Sequence, residues 1–152
     1  MSMKKLLIFF IVALLLTLTS YPFVCDYNIF SLFNVTSVQV YTSEKNDDDR
    51  FSHIRNGCGE IYFCNSENFE KIMSSLNYIS GYTLKIEKSH YSLSDVAKML
   101  NIKVSTQKDA NLYGFSQNFP FKVKIGGKEV SVQVLEQNDC FLIGSPILLG
   151  SY

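Results

Sequence analysis

The chain has no tryptophan, only two histidines and three prolines in 152 residues, and 18% of its side chains are charged. Each shortage narrows what it can do. His53 and His90 stand alone and no cysteine pair has the CxxC spacing, so no set of metal ligands is legible. The net charge is zero, and beyond residue 25 twelve basic side chains meet fourteen acidic ones with no basic stripe. That removes the electrostatic footprint expected of a nucleic-acid binder or of a protein adsorbing to anionic lipid. Glycine never gathers into a phosphate-cradling loop, and there is no internal repeat. Long hydrophobic runs are equally scarce, with one exception, which opens the chain.

Lys4-Lys5 precede an apolar run from Leu6 to Leu16 that continues less strictly to Phe23-Val24. At about 1.5 Å per residue, Leu6 to Val24 is just long enough to cross the hydrocarbon core of a bilayer. A cleaved secretory signal has the same start and centre but ends in small residues one and three positions before the cut. Thr17-Leu18-Thr19-Ser20 is a poor version of that pattern and Tyr21-Pro22-Phe23-Val24 a worse one. A lipid-modified Cys25 would want a small residue where Val24 stands. The segment is therefore read as an uncleaved anchor embedded through residues 6–24, with cleavage and secretion as the alternative. Basic residues before it and Asp26 after it keep the N-terminus cytoplasmic and put the remainder outside. The organisation expected is an anchor or signal segment at 1–24, a stalk and polar linker at 25–56 with a candidate strand at 33–41, and an extracytoplasmic domain at 57–152. The polar tract Ser43 to Arg50 reads as linker or solvated loop; its three consecutive Asp lack the turn glycine and distal carboxylate of a calcium cage.

Two helices follow from apolar residues recurring on one helical face behind a capping residue. The first opens at Asn65-Ser66 and buries Phe69, Ile72, Met73 and Leu76; the second opens at Ser92, with Asp95 three residues on, and buries Leu93, Val96, Ala97 and Leu100. Phe121 to Ile125 and Lys128 to Val134 alternate around Gly126-Gly127, which predicts a hairpin with Val123 facing Val130, Lys124 facing Glu129 and Phe121 facing Val132. Further strands are predicted at 59–64, 82–88, 102–106, 112–116 and 140–149, the last interrupted by Pro146, which suits an edge or a bulge. The fold class expected is α+β, a mostly antiparallel sheet with two short helices on one face.

Tyr113-Gly114-Phe115-Ser116, the Gly-turn hairpin and the terminal Ile143-Gly144-Ser145-Pro146-Ile147-Leu148-Leu149-Gly150-Ser151-Tyr152 resemble the closing third of single-anchor extracytoplasmic proteins of clostridial type, and more distantly the YwmB-like proteins of Gram-positive bacteria. The resemblance covers about the last 40 residues. It implies a location and a fold, and it carries no functional residue with it.

Beyond the membrane, cysteines meet oxidants, so Cys64 with Cys140 or Cys58 with Cys140 is the disulfide to look for, beside the reading of all three as buried free thiols. Cys58 and Cys64 on one strand would lie about 20 Å apart, too far to bridge. A thiol enzyme would need Cys58 activated by His90 and oriented by Asp95 or Glu60. Leu93 to Val104 has a helix-turn-helix flavour, but Ile102-Lys103-Val104 reads as strand where the recognition helix should be. Tyr113, Phe115 and Phe119 are the candidate binding patch, with core filling as the plainer role of Phe115, Phe119 and Phe121. The Ile147-Leu148-Leu149 run reads as the last strand. The function these residues favour is a non-enzymatic binding or accessory protein of the bacterial envelope, needing no cofactor and meeting an envelope protein partner. A small thiol enzyme, or a subunit acting through its anchor helix, are the alternatives.

Overall fold

The computed structural model describes residues 27–149; the expected anchor at 6–24, Cys25 and residues 150–152 lie outside them. Ten strands and three short helices occur in the described residues: α1 Tyr27–Leu32, β1 Val35–Thr42, β2 His53–Asn56, β3 Gly59–Cys64, α2 Phe69–Ser75, β4 Ile79–Glu87, α3 Leu93–Met99, β5 Lys103–Lys108, β6 Asn111–Phe115, β7 Val123–Ile125, β8 Lys128–Val130, β9 Val132–Glu136 and β10 Cys140–Ser145. Eight strands form one antiparallel sheet in the order β2-β3-β1-β4-β10-β9-β6-β5, while β7 and β8 pair separately.

Register decides which face is buried, because side chains alternate along a strand. Val38 lies opposite Leu84, Val40 opposite Tyr62 on one side and Tyr82 on the other, and Leu84 and Ile86 opposite Ile143 and Phe141. All of these are essentially inaccessible to solvent. The helices cover the same face: Ile29 and Phe33 from α1, Phe69 and Ile72 from α2, and Leu93, Val96 and Ala97 from α3 join one core. Rings knit the layers, Phe69 standing edge-on to Tyr82 at 5.2 Å between centroids and Tyr82 to Phe121 at 6.0 Å.

Both predicted helices form. A 3₁₀ turn at Ser66–Asn68, capped by the Asn65 side chain, leads into α2. Ser92 and Asp95 make a full capping box at the start of α3, each side chain bonding the other's backbone N–H. Past its end Asn101 takes a left-handed φ of 52°, which lets the Ile102 N–H return to the Ala97 carbonyl and stops the helix.

The sheet differs from expectation in three places. β1 sits in the sheet interior between β3 and β4, so residues 35–42 belong to the domain and not to a stalk. The polar tract after it is a loop within the domain, cross-tied where Asn46 donates to the Asn77 carbonyl and accepts from the Asn77 N–H. The hairpin keeps the predicted pairs Val123 with Val130 and Lys124 with Glu129, but the run ending at Val134 breaks at Ser131. That hydroxyl is buried, accepts from the Ser116 N–H at 2.9 Å and donates to the Ser116 carbonyl at 2.8 Å. β9 thereby leaves Phe121 and crosses to β6 and β10. Finally, β10 is an interior strand that stops at Ser145, immediately before Pro146. Residues 146–149 are not a strand; they fold back across the sheet face opposite the helices. A Cβ on Gly144 would sit 2.6 Å from the Ile147 carbonyl carbon, and the Leu148 N–H donates to the Gln133 side chain.

Candidate functional site

The structure distributes the expected site residues instead of gathering them. Cys58 is exposed in the β2–β3 turn, beside the end of β1 where Thr42 pairs with Glu60, whereas His90 follows β4, whose last residues pair near the start of β1. The length of β1, about 23 Å at 3.3 Å per residue, separates the two. Asp95 is committed to its cap. The thiol triad is therefore not assembled. Cys64 points to the helix side, where burial pushes its thiol up to about 11. Cys140 points to the other face, three strands away, and its buried sulfur lies 3.2 Å from the Gln137 side-chain oxygen. All three cysteines are free, and the strand positions leave none of the expected pairs within bridging distance. The aromatic patch is also divided. Phe119 is fully buried in the core, the Tyr113 hydroxyl accepts from Asn111 and Gln133 on the face opposite the helices, and Phe115 lies near the β7–β8 hairpin under the Lys122 ammonium, 5.0 Å from its ring centre.

Two constellations that sequence reasoning passed over are assembled instead. The first surrounds Glu60, which is 1% exposed. Its Oε2 accepts from the Asn46 N–H at 2.8 Å and the Tyr62 hydroxyl at 2.6 Å, and these two donors, the backbone one foremost, hold the carboxyl below the usual carboxylate range. Burial, reinforced by that carboxylate, pushes the Tyr62 hydroxyl up to about 12. Oε1 has no hydrogen bond. Facing it at 3.7 Å is Nε2 of His53, whose ring lies 4.9 Å from that of Tyr62. Asp48, bonded through both oxygens to Arg50, is held down at about 2 by that guanidinium and lies on the loop above the Tyr62 hydroxyl. One signal was available in the sequence: Glu60 shares strand parity with Tyr62 and Cys64, so a strand that buries the aromatic must bury the acid.

The second is a surface cleft of about 580 Å³ between the edge strand β5 and the small hairpin, lined by Lys103, Val104, Ser105, Phe115, Lys128 and Glu129. Every β5 residue except Ser105 is exposed. A bulge between Val104 and Thr106 turns the strand, and Gly114 opposite leaves room for Ile102, whose Cγ2 would lie 2.3 Å from any Cβ there. Lys122 reaches the cleft rim and pairs with Glu129 at 3.2 Å. Lys103 and Lys128, twenty-five residues apart, share the cleft because β6 pairs with β5 on one side and contacts β8 on the other.

Among the described residues no helix is long and apolar enough to cross a membrane, and no three His, Cys, Asp or Glu side chains form a metal-binding group. Comparison with protein-family models, curated proteins and solved structures finds no match to this chain.

Proposed function

We propose that this chain is a membrane-anchored extracytoplasmic binding domain of a Gram-positive cell envelope, without catalysis of its own, whose working surface is the β5 edge and the adjoining cleft. The partner is an extended acidic segment of another envelope protein. The observation that carries this reading is a charge asymmetry: residues 103–130 hold Lys103, Lys108, Lys122, Lys124 and Lys128 against Asp109 and Glu129, whereas the rest of the chain holds nine basic residues against twelve acidic ones. Of the two acids, Glu129 is itself paired with Lys122.

The chemistry of the surface selects the partner. Among the described residues β5 has a neighbour on one side only, so alternate backbone groups along its outer edge can pair with an added strand. Val104, 45% exposed, and the half-buried Phe115 offer apolar contact, and the lysines at both ends of β5 offer counter-charges to carboxylates. A second copy of β5 would be a poor occupant, because antiparallel self-pairing sets Lys103 against Lys108. The apolar run at 6–24 and the resemblance of the closing third to single-anchor proteins support the location.

In-cell crosslinking of full-length protein tests this, comparing wild type, a triple reversal Lys103→Glu/Lys108→Glu/Lys128→Glu, and a version with residues 6–24 exchanged for an unrelated anchor. The expected result is one envelope protein captured by wild type and by the exchanged anchor, and lost with the reversal. Capture unchanged by the reversal would overturn the surface; capture lost with the anchor exchange would move the function into the membrane.

A further inference from the structure

Independently of that surface, the geometry points to a proton-operated clasp in which protonated His53 donates Nε2–H to Oε1 of Glu60 and fastens the edge strand β2, with the loop before it, to the sheet. Nδ1 of His53 lies 3.0 Å from the Phe51 carbonyl oxygen, and a carbonyl only accepts, so Nδ1 carries a hydrogen in either charge state of the ring. The neutral ring therefore presents a bare lone pair at Nε2. That lone pair faces a buried carboxylate oxygen that makes no hydrogen bond, 3.7 Å away, on a carboxyl whose charge the Asp47 N–H also favours. Two acceptors confront one another, and a proton on Nε2 converts the contact into a charge-assisted hydrogen bond.

One carboxylate holds two neighbouring pieces of chain. Through Oε2 Glu60 fixes the Asn46 N–H of the 43–52 loop, and through Oε1 it faces His53 of β2. β2 is four residues long, exposed except for His53, and paired only with β3. The other charged or titratable groups around the imidazole are Tyr62 of β3, whose hydroxyl already donates to Oε2, Asp48 and Arg50 of the loop, which neutralise each other, and Arg55 of β2, opposite Glu60 in register. None places a hydrogen on Oε1. The clasp is closed with the proton on Nε2 and open without it. Opening leaves β2 held by its ladder to β3 and by the ring contact of His53 with Tyr62.

The test is hydrogen–deuterium exchange of the full-length protein in detergent at pH 5.5 and 8.0, each corrected for intrinsic exchange. Protection of residues 43–56 is expected to fall about ten-fold from the lower to the higher pH, the equivalent of one hydrogen bond to a charged group. The chain has two histidines, which makes assignment direct. His53→Gln is expected to remove the pH response and His90→Gln to keep it. Equal protection of wild type at both pH values, a response that survives His53→Gln, or one that depends on added zinc and vanishes with chelator, would each overturn the clasp.

Discussion

Glu60 concentrates the polar energetics of single residues in this molecule. Its folded-state carboxyl sits below its unfolded value, so its contribution is fully present above the unfolded value and is lost as pH falls through the folded one. Glu60→Gln is expected to cost about 1.5–3 kcal/mol at pH 7, the range for hydrogen bonds to a charged group, and progressively less as pH falls below the unfolded carboxyl value and the wild-type carboxylate takes up its proton. Urea unfolding of both proteins across that range checks the sign. A gap that widens once pH falls below the unfolded carboxyl value would show that the side chain is not held as an anion. At the N-terminus of α3, Ser92→Ala removes the bond to the Asp95 N–H and is expected to cost about 1 kcal/mol.

At the scale of elements, what was legible in the sequence is what local rules determine. The capping box at Ser92 and Asp95 and the cross-strand pairs of the hairpin involve residues within a few positions of each other, and both appear where the sequence put them. The break at Ser131 was not legible, because an alternating pattern continues straight through it. It is set by a hydroxyl pairing with Ser116, fifteen residues away, which no periodicity reports. Ser131→Ala strips a buried N–H of its acceptor and a buried carbonyl of a donor, with an expected loss of about 1–3 kcal/mol in urea unfolding. Ser131→Val, which adds bulk as well, is expected to cost more. The aromatic patch divides for a related reason: Tyr113 and Phe115 share a face of β6, but the turn after the strand sends Phe119 into the core. The Glu60 cluster was half legible from strand parity; the lysine excess of residues 103–130 is likewise in the sequence, and topology adds the cleft that gathers Lys103 and Lys128.

For the molecule as a whole, thiols report both orientation and packing. Cys58 is exposed, Cys64 half-buried and Cys140 buried. In cells carrying a Cys25→Ser version, a membrane-impermeant maleimide is expected to label Cys58 alone. Cys64 and Cys140, whose thiols burial holds protonated, are expected to react only after denaturation. Absence of label from intact cells, with full labelling after lysis, would place the domain on the cytoplasmic side.

The strand order has a consequence for how the chain reaches this state. β4 belongs to the first half of the sheet, with β1, β2 and β3, and its other neighbour is β10, the last strand in sequence. The centre of the sheet is thus the last part to be supplied. Until β10 arrives, β4 presents an unpaired, strongly apolar edge, and the pairings of β4 with β1 and with β10 join residues dozens of positions apart, which slows folding relative to a sheet built from hairpins alone. A chain threaded across a membrane from its N-terminus would emerge with that edge open for as long as the remainder takes to follow, the interval in which aggregation competes with folding.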